Sequence, residues 1–289
     1  MKLHTKMMAL LVAGAMVFAT GCSSSSTEST TEETTTTEES TESTESTEGT
    51  EATEEGTETS AATLEEGKLL MSTNATFPPY EYYDGETIVG IDAEIAAALA
   101  EKMGVELEIA DMEFESALAA VQTGQSDMVM AGVTVTEDRL ENMDFTNSYA
   151  TGVQVVIVPE DSDITTIDDL EGKLIGVQQG TTGDIYCSDT PENGGYGEEN
   201  VQKFGSGPLA VEALKNGQVD CVVIDNEPAK SYVEANEGLK ILDTEFAVED
   251  YAIGVAKGNT ALLDELNAAL DELEADGTLQ AIVDKYIHE

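Results

Sequence analysis

The 289-residue chain carries 59 acidic against 12 basic side chains, a formal charge of −47, with 40% hydrophobic residues. That sign repels a phosphate backbone, so nucleic acid and an anionic membrane surface are excluded as main partners. Its two histidines, His4 and His288, lie at the ends of the chain. The interior imidazole needed by Ser–His and Cys–His nucleophiles and by His-rich metal sites is therefore missing, and neither metal nor cofactor is expected.

Lys2 and Lys6 precede an apolar run, Met7–Ala19. The run is too short to span a bilayer and suits the h-region of a signal peptide, assigned to residues 1–21. It ends in Ala19-Thr20-Gly21-Cys22, which resembles a bacterial lipobox with Ala where Leu is usual. The resemblance implies lipidation of Cys22 and hence a bilayer partner; ordinary secretion is the alternative. Residues 23–63 hold 12 Glu, 9 Ser and 15 Thr. Such a segment buries too little to order itself, so residues 22–63 read as a disordered tether or glycosylated stalk. Its root-mean-square reach is about 35 Å. Both readings place the folded body outside the cytoplasm, at the outer face of the cytoplasmic membrane.

From residue 64 onward apolar strands alternate with helical patterns, the signature of an α/β fold with mainly parallel sheets flanked by helices. Leu69–Ser72 reads as a strand; Ile95, Leu99 and Met103 form one helical face ending at Gly104; Val105, Leu107 and Ile109 alternate as a strand. Phe114, Leu118 and Val121 make a second helical stripe, and Met128–Ala131 a further strand. The same alternation runs from Leu174 to Ile241, and two helices, about Thr260–Glu274 and Leu279–Ile287, close the chain. Gly124-Gln125-Ser126-Asp127 and Gly217-Gln218-Val219-Asp220 each separate a helix end from a strand, 93 residues apart. The duplication favours two similar lobes over one continuous sheet.

Ligands of open parallel sheets bind beyond the carboxyl ends of strands. Past the first copy of the motif lies Ala131-Gly132-Val133-Thr134-Val135-Thr136-Glu137-Asp138-Arg139; past the second lies Ile224-Asp225-Asn226-Glu227. A guanidinium on one lobe and a carboxylate on the other are what a zwitterion requires. Arg139 is the only arginine; a bidentate carboxylate clasp and a surface pairing with a nearby glutamate are both open readings. Gln179-Gly180-Thr181-Thr182-Gly183-Asp184 follows a strand and offers N–H groups and hydroxyls, with no Lys to make it a nucleotide loop. Thr76-Phe77-Pro78-Pro79-Tyr80-Glu81-Tyr82-Tyr83 reads as a stiff aromatic loop, with Phe77 at the ligand.

Together with Asn74-Ala75, Gly90-Ile91-Asp92-Ala93-Glu94-Ile95 and Gly176-Val177-Gln178, these stretches resemble the polar amino-acid family of bacterial solute-binding proteins that serve ABC importers, nearest in motif to glutamine-type binders. The resemblance implies the periplasmic-binding-protein type II fold, with two crossover strands near Ala150–Val153 and Ala247–Ala252. Lobe 1 then comprises residues 64–151 and 252–289, and lobe 2 residues 152–251. It implies a non-catalytic monomer that binds an L-amino acid and docks on ABC permease subunits in the membrane. Arg139, the Thr134 hydroxyl and the N–H groups of Thr134 and Thr182 would take the α-carboxylate. Asp225 and the Gly132 carbonyl, beside Ala131, would take the α-ammonium. Phe77 and Phe114 would flank the side chain, and Asn74, Gln178, Thr181 and Glu115 would line the remainder. Neutral Asn74 and Gln178 favour a polar, uncharged side chain such as that of glutamine. A dehydratase-type enzyme using Glu115 or Glu227 as general acid, and a ligand-sensing surface lipoprotein, are the rival readings. Cys187 and Cys221, both in lobe 2, are either a disulfide or two buried thiols.

Overall fold

The computed structural model describes residues 63–288. The segment read as a signal peptide, the expected lipidation site Cys22 and all but the last residue of the expected tether lie outside them. The first lobe starts with β1 (Lys68–Thr73), then β2 (Thr76–Phe77), β3 (Glu81–Asp84), β4 (Thr87–Val89), α1 (Ile91–Met103), β5 (Glu106–Asp111), α2 (Phe114–Gln122), β6 (Met128–Val129) and α3 (Glu137–Asn142). The long strand β7 (Met143–Pro159) leads to the second lobe: β8 (Ile175–Gln178), α4 (Thr182–Ser188), β9 (Val201–Phe204), α5 (Gly207–Lys215), β10 (Cys221–Asp225), α6 (Asn226–Ala235) and β11 (Leu239–Ile241). β12 (Ala247–Ala256) returns, and α7 (Thr260–Ala275) and α8 (Thr278–Tyr286) pack on the first lobe.

Within each lobe the neighbouring strands β5-β1-β6 and β10-β8-β9 are parallel. The sheets are not separate, however. β7 and β12 pair antiparallel from Ala247↔Gln154 to Ala256↔Met143, and each also bonds to a lobe strand, so one path runs β5-β1-β6-β12-β7-β10-β8-β9. The two lobes expected from the duplication are present, but crossovers long enough to pair with each other stitch their sheets into one.

Strand β10 shows why these residues form a central strand. Val222 and Ile224 enter the large core that also holds Val211 and Leu214 of α5, while Cys221 and Val223 point the other way, into a cluster with Ile175, Val177 and Cys187. Both faces are covered, as a parallel strand between helical layers requires. Cys187 and Cys221 are buried free thiols, so the bridge left open above is not formed in the structure. In the first lobe, Ile95 and Leu99 of the stripe read from the sequence are buried, with Ile91, in the core that also holds Leu262, Leu266 and Leu270 of α7, and Met103 packs partly buried against it. Lys102 ties the two helices at the surface through Asp276, 3.0 Å away.

The duplicated motif is built identically in both lobes. Gly124 and Gly217 stop α2 and α5 at φ 70° and 67°, a left-handed conformation that glycine adopts without strain. The next residue's N–H then reaches back to close the turn, Gln125 to the Ala120 carbonyl at 2.7 Å and Gln218 to the Ala213 carbonyl at 2.9 Å. Asp127 Oδ2 accepts the Leu70 N–H at 2.7 Å, and Asp220 Oδ2 accepts the Leu174 N–H at 2.8 Å. Each aspartate thus pins the adjoining parallel strand, or the residue just before it, which fixes where that strand's carboxyl end emerges.

The stretch read as a stiff loop forms a three-stranded antiparallel meander, β2-β3-β4. Its strands are two to four residues long, too short for an alternating pattern to register. Among the described residues no helix is long and apolar enough to cross a membrane.

Candidate functional site

The carboxyl ends of β1, β6, β8 and β10 converge on one narrow cavity between the lobes. Asn74, Phe77, Phe114, Ala131, Gly132, Thr134, Arg139, Gln178, Thr181, Thr182 and Asp225, the ligand residues named from the sequence, all line it, and so does Glu81. Glu115 stands at the exposed mouth, where Gln179 donates to it, and Glu227 is taken up by Lys230, 2.6 Å away; neither lines the cavity.

Arg139 is the third residue of α3, whose N-cap Thr136 accepts the Arg139 N–H. That short helix turns the side chain inward: it is 7% exposed, with Cζ 5.4 Å from the centre of the Phe114 ring. Nη1 donates to the Thr134 carbonyl at 2.7 Å, and Nη2 crosses the cleft to the Gly180 carbonyl at 3.1 Å. Among the described residues it forms no ion pair, which removes the reading of a surface arginine paired with a glutamate. Burial pulls its pKa down to about 10, with Glu249 pushing the other way. The guanidinium stays charged at neutral pH.

Asp225 ends β10 as the N-cap of α6 and is also 7% exposed. Tyr251 donates to Oδ1, and Gln154 Nε2 donates to Oδ2 at 2.7 Å. Burial lifts its pKa to about 7; the two donors oppose that rise and the neighbouring Glu249 adds to it.

Gly132 has φ 56°, and a Cβ there would stand 2.8 Å from Phe77 Cε1. Only glycine lets the Phe77 ring close over the loop, and the Gly132 N–H is fixed by Asp92 Oδ2 at 3.1 Å. At the opposite end, Asn74 Oδ1 accepts from Thr76 Oγ1 and, across the cleft, from Gln178 Nε2, each at 2.9 Å. Thr181 caps α4 through its hydroxyl and donates to the Gln178 carbonyl at 2.8 Å.

Glu249 of β12 was not legible as a site residue. Its Oε2 accepts from Thr134 Oγ1 at 3.0 Å, Thr182 Oγ1 at 2.9 Å and Gln154 Nε2 at 3.2 Å, joining hydroxyls of the two lobes. The Thr134 hydroxyl, expected at a ligand carboxylate, is therefore committed to a carboxylate of the chain itself. Along β12 Glu249 is buried between the exposed Val248 and Asp250, while from Tyr251 to Val255 both faces are covered, so no alternation in the sequence marks it.

Comparisons with known proteins agree with this architecture. The model of bacterial extracellular solute-binding proteins, family 3, matches residues 69–289. The arginine-binding extracellular protein ArtP of Bacillus subtilis (strain 168) is 32% identical over 234 residues, which is 80% of this chain and 90% of ArtP. An ancestral arginine-binding protein bound to glutamine is 39% identical with a TM-score of 0.72, covering 78% of this chain and 100% of that one. An ancestral arginine-binding protein bound to arginine gives 39% identity and a TM-score of 0.71, over 76% and 98%.

Proposed function

Since the chain belongs to the bacterial extracellular solute-binding proteins of family 3, we propose that it captures an L-amino acid between its lobes and delivers it to an ABC importer. The observation that carries this reading is a buried guanidinium without an ion-pair partner among the described residues, sharing one cavity with a buried aspartate. Arg139, with the N–H groups of Thr134 and Thr182, takes the α-carboxylate; Asp225 and the Gly132 carbonyl take the α-ammonium. A desolvated charge on each lobe makes the ligand itself the link between them, and contacts available only in the closed form favour that form. The hinge lies at residues 151–152 and 251–252, on the paired crossovers. Cleavage before Cys22 and lipidation of its thiol hold the monomer at the outer face of the cytoplasmic membrane, and the acidic tether gives it reach to the permease.

For the side chain, the neutral amides of Asn74 and Gln178 between the Phe77 and Phe114 rings support a polar, uncharged group such as that of glutamine. Arginine is the second reading, supported by ArtP and the ancestral relative and by the surplus of buried carboxyls, Glu81, Asp92, Asp225 and Glu249, over one guanidinium. Thermal-shift measurement across the twenty L-amino acids tests the function, and calorimetry then ranks glutamine, arginine, histidine and cystine. A ligand at 100 times its Kd stabilises by about 2.7 kcal/mol. No shift from any amino acid at millimolar concentration overturns the proposal; a preference for arginine of tenfold or more replaces glutamine.

A further inference from the structure

Past β6 the chain runs beside the returning crossover. Thr134 bridges to Tyr251 of β12, the Ala252 N–H donates to the Val133 carbonyl at 3.0 Å, and the Val135 N–H donates to the Asp250 carbonyl at 3.4 Å. In that antiparallel register Thr134 and Glu249, two places before Tyr251, share one face as diagonal neighbours. The Thr134 hydroxyl therefore meets the buried Glu249 carboxylate, 3.0 Å away, while the Thr134 carbonyl holds Arg139.

A carboxylate has no hydrogen to give, so every group bonded to it must donate. Three do so at Oε2: the hydroxyl of Thr134 from the first lobe, the hydroxyl of Thr182 at the start of α4, and Nε2 of Gln154 on β7. The same Gln154 nitrogen donates to Asp225 Oδ2 at 2.7 Å, which ties Glu249 and Asp225 through one amide. These bonds settle the direction of the Thr134 O–H. Its hydrogen faces Glu249, and its lone pairs are left for another donor. Gln154 Nε2 lies 3.4 Å from the Thr182 oxygen, whereas among the described residues no donor reaches Thr134 Oγ1, and Thr134 lines the cavity. An ammonium brings three N–H donors, of which the reading above gives Asp225 and the Gly132 carbonyl two.

We propose that Glu249 is a positioning residue: it takes the hydrogen of the Thr134 hydroxyl and so presents that oxygen to the α-ammonium as an acceptor. Glu249 touches no atom of the ligand and acts through Thr134. A hydroxyl free to turn can point its hydrogen at an ammonium, which repels it; the carboxylate behind the hydroxyl excludes that rotamer. The same bond sorts the two ends of the ligand. It leaves the Thr134 N–H for the α-carboxylate, beside Arg139, and the Thr134 oxygen for the α-ammonium, beside Asp225.

The inference rests on the amino-acid reading, and the experiment separates the two. Calorimetry with L-glutamine and L-arginine compares the unmodified protein with Thr134→Val, Glu249→Leu, the double variant of these and Glu249→Gln, each checked for folding by thermal melting. Thr134→Val and Glu249→Leu should each weaken binding about tenfold or more. Because Glu249 acts through the Thr134 oxygen, the double variant should bind within about threefold of the weaker single one. Glu249→Gln keeps an acceptor oxygen for the three donors, its NH2 standing in for Oε1, which has no partner among the described residues. It should recover most of what Glu249→Leu loses. A merely structural glutamate would instead give losses that multiply, and that result overturns the proposal. Thr134→Val binding within twofold of the unmodified protein, or Glu249→Gln binding as poorly as Thr134→Val, overturns it too, even where Glu249→Leu fails to fold. Absence of any amino-acid binding by the unmodified protein overturns the functional reading and this inference with it.

Discussion

Replacing Arg139 by Met separates binding from folding. The substitution keeps the apolar stem and removes the only arginine. In the ligand-free protein two opposing terms change. The bonds to the Thr134 and Gly180 carbonyls are lost, each worth about 1.5–3 kcal/mol as a charge-assisted bond. Against that, the chain no longer holds a buried guanidinium without a carboxylate, a penalty of several kcal/mol. The sum is close to zero, so the ligand-free melting temperature should move by only a few degrees. Binding has no such compensation. Truncating one partner of a desolvated charge pair costs about 2–5 kcal/mol, or about 30-fold to several thousand-fold in Kd, and no lysine lines the cavity to substitute. Arg139→Lys retains charge but offers a point-like donor in place of a fork, and should fall between Met and wild type. Calorimetry alongside thermal melting reads both quantities. Affinity within threefold of wild type for Arg139→Met refutes the clasp; a collapse of the ligand-free melting temperature makes the residue structural instead.

Two further outcomes follow from the same contacts. Asp225, Asp92 and Glu81 all have pKa values raised by burial, to about 7, to about 6 and well above the ordinary range. The folded state therefore binds more protons than the unfolded chain, and this stabilisation is complete below about pH 4 and lost as pH rises through the folded values. Asp276, held down to about 2, acts only in more acid solution. The ligand-free protein should melt higher at pH 5 than at pH 8, and Asp225→Asn should shrink the difference; an unchanged or reversed order refutes the burial argument. Asp220→Ala removes one acceptor of a strand N–H and should cost about 1 kcal/mol in urea unfolding, whereas Asp127→Ala removes acceptors for both Leu64 and Leu70 and should cost about twice that. Equal losses refute that accounting.

The parts of the molecule legible in the chain are those where one physical rule acts over many residues. The α1 stripe of Ile95 and Leu99 and the two Gly-Gln-x-Asp turns are of this kind, and extrapolating past the turns led to Arg139 and Asp225. Residues whose role depends on a distant strand were not legible. Glu81 lies in Tyr80-Glu81-Tyr82-Tyr83, where a four-residue strand has no periodicity to set inside from outside. Glu249 is one acid among 59, and only its register on β12 opposite β7 turns it inward. The continuous sheet was missed for a similar reason: the lengths of β7 and β12 belong to their pairing with each other, which no local window contains.

The contacts across the cleft bear on how the ligand acts. Gln178 reaches Asn74, Arg139 reaches the Gly180 carbonyl, Tyr232 donates to the Thr76 carbonyl at 2.6 Å, and Glu249 joins Thr134 to Thr182. Each such bond replaces one to water and contributes about 1 kcal/mol net, so together they are worth a few kcal/mol. Ordering the two lobes against each other opposes them. A ligand that binds only the closed form adds its own contacts to these and shifts the population towards closure. Glu249 fits this scheme by holding the two threonine hydroxyls: a carboxylate of the chain keeps both lobes in register for the ligand's own, without the permanent grip that a buried apolar seam would impose.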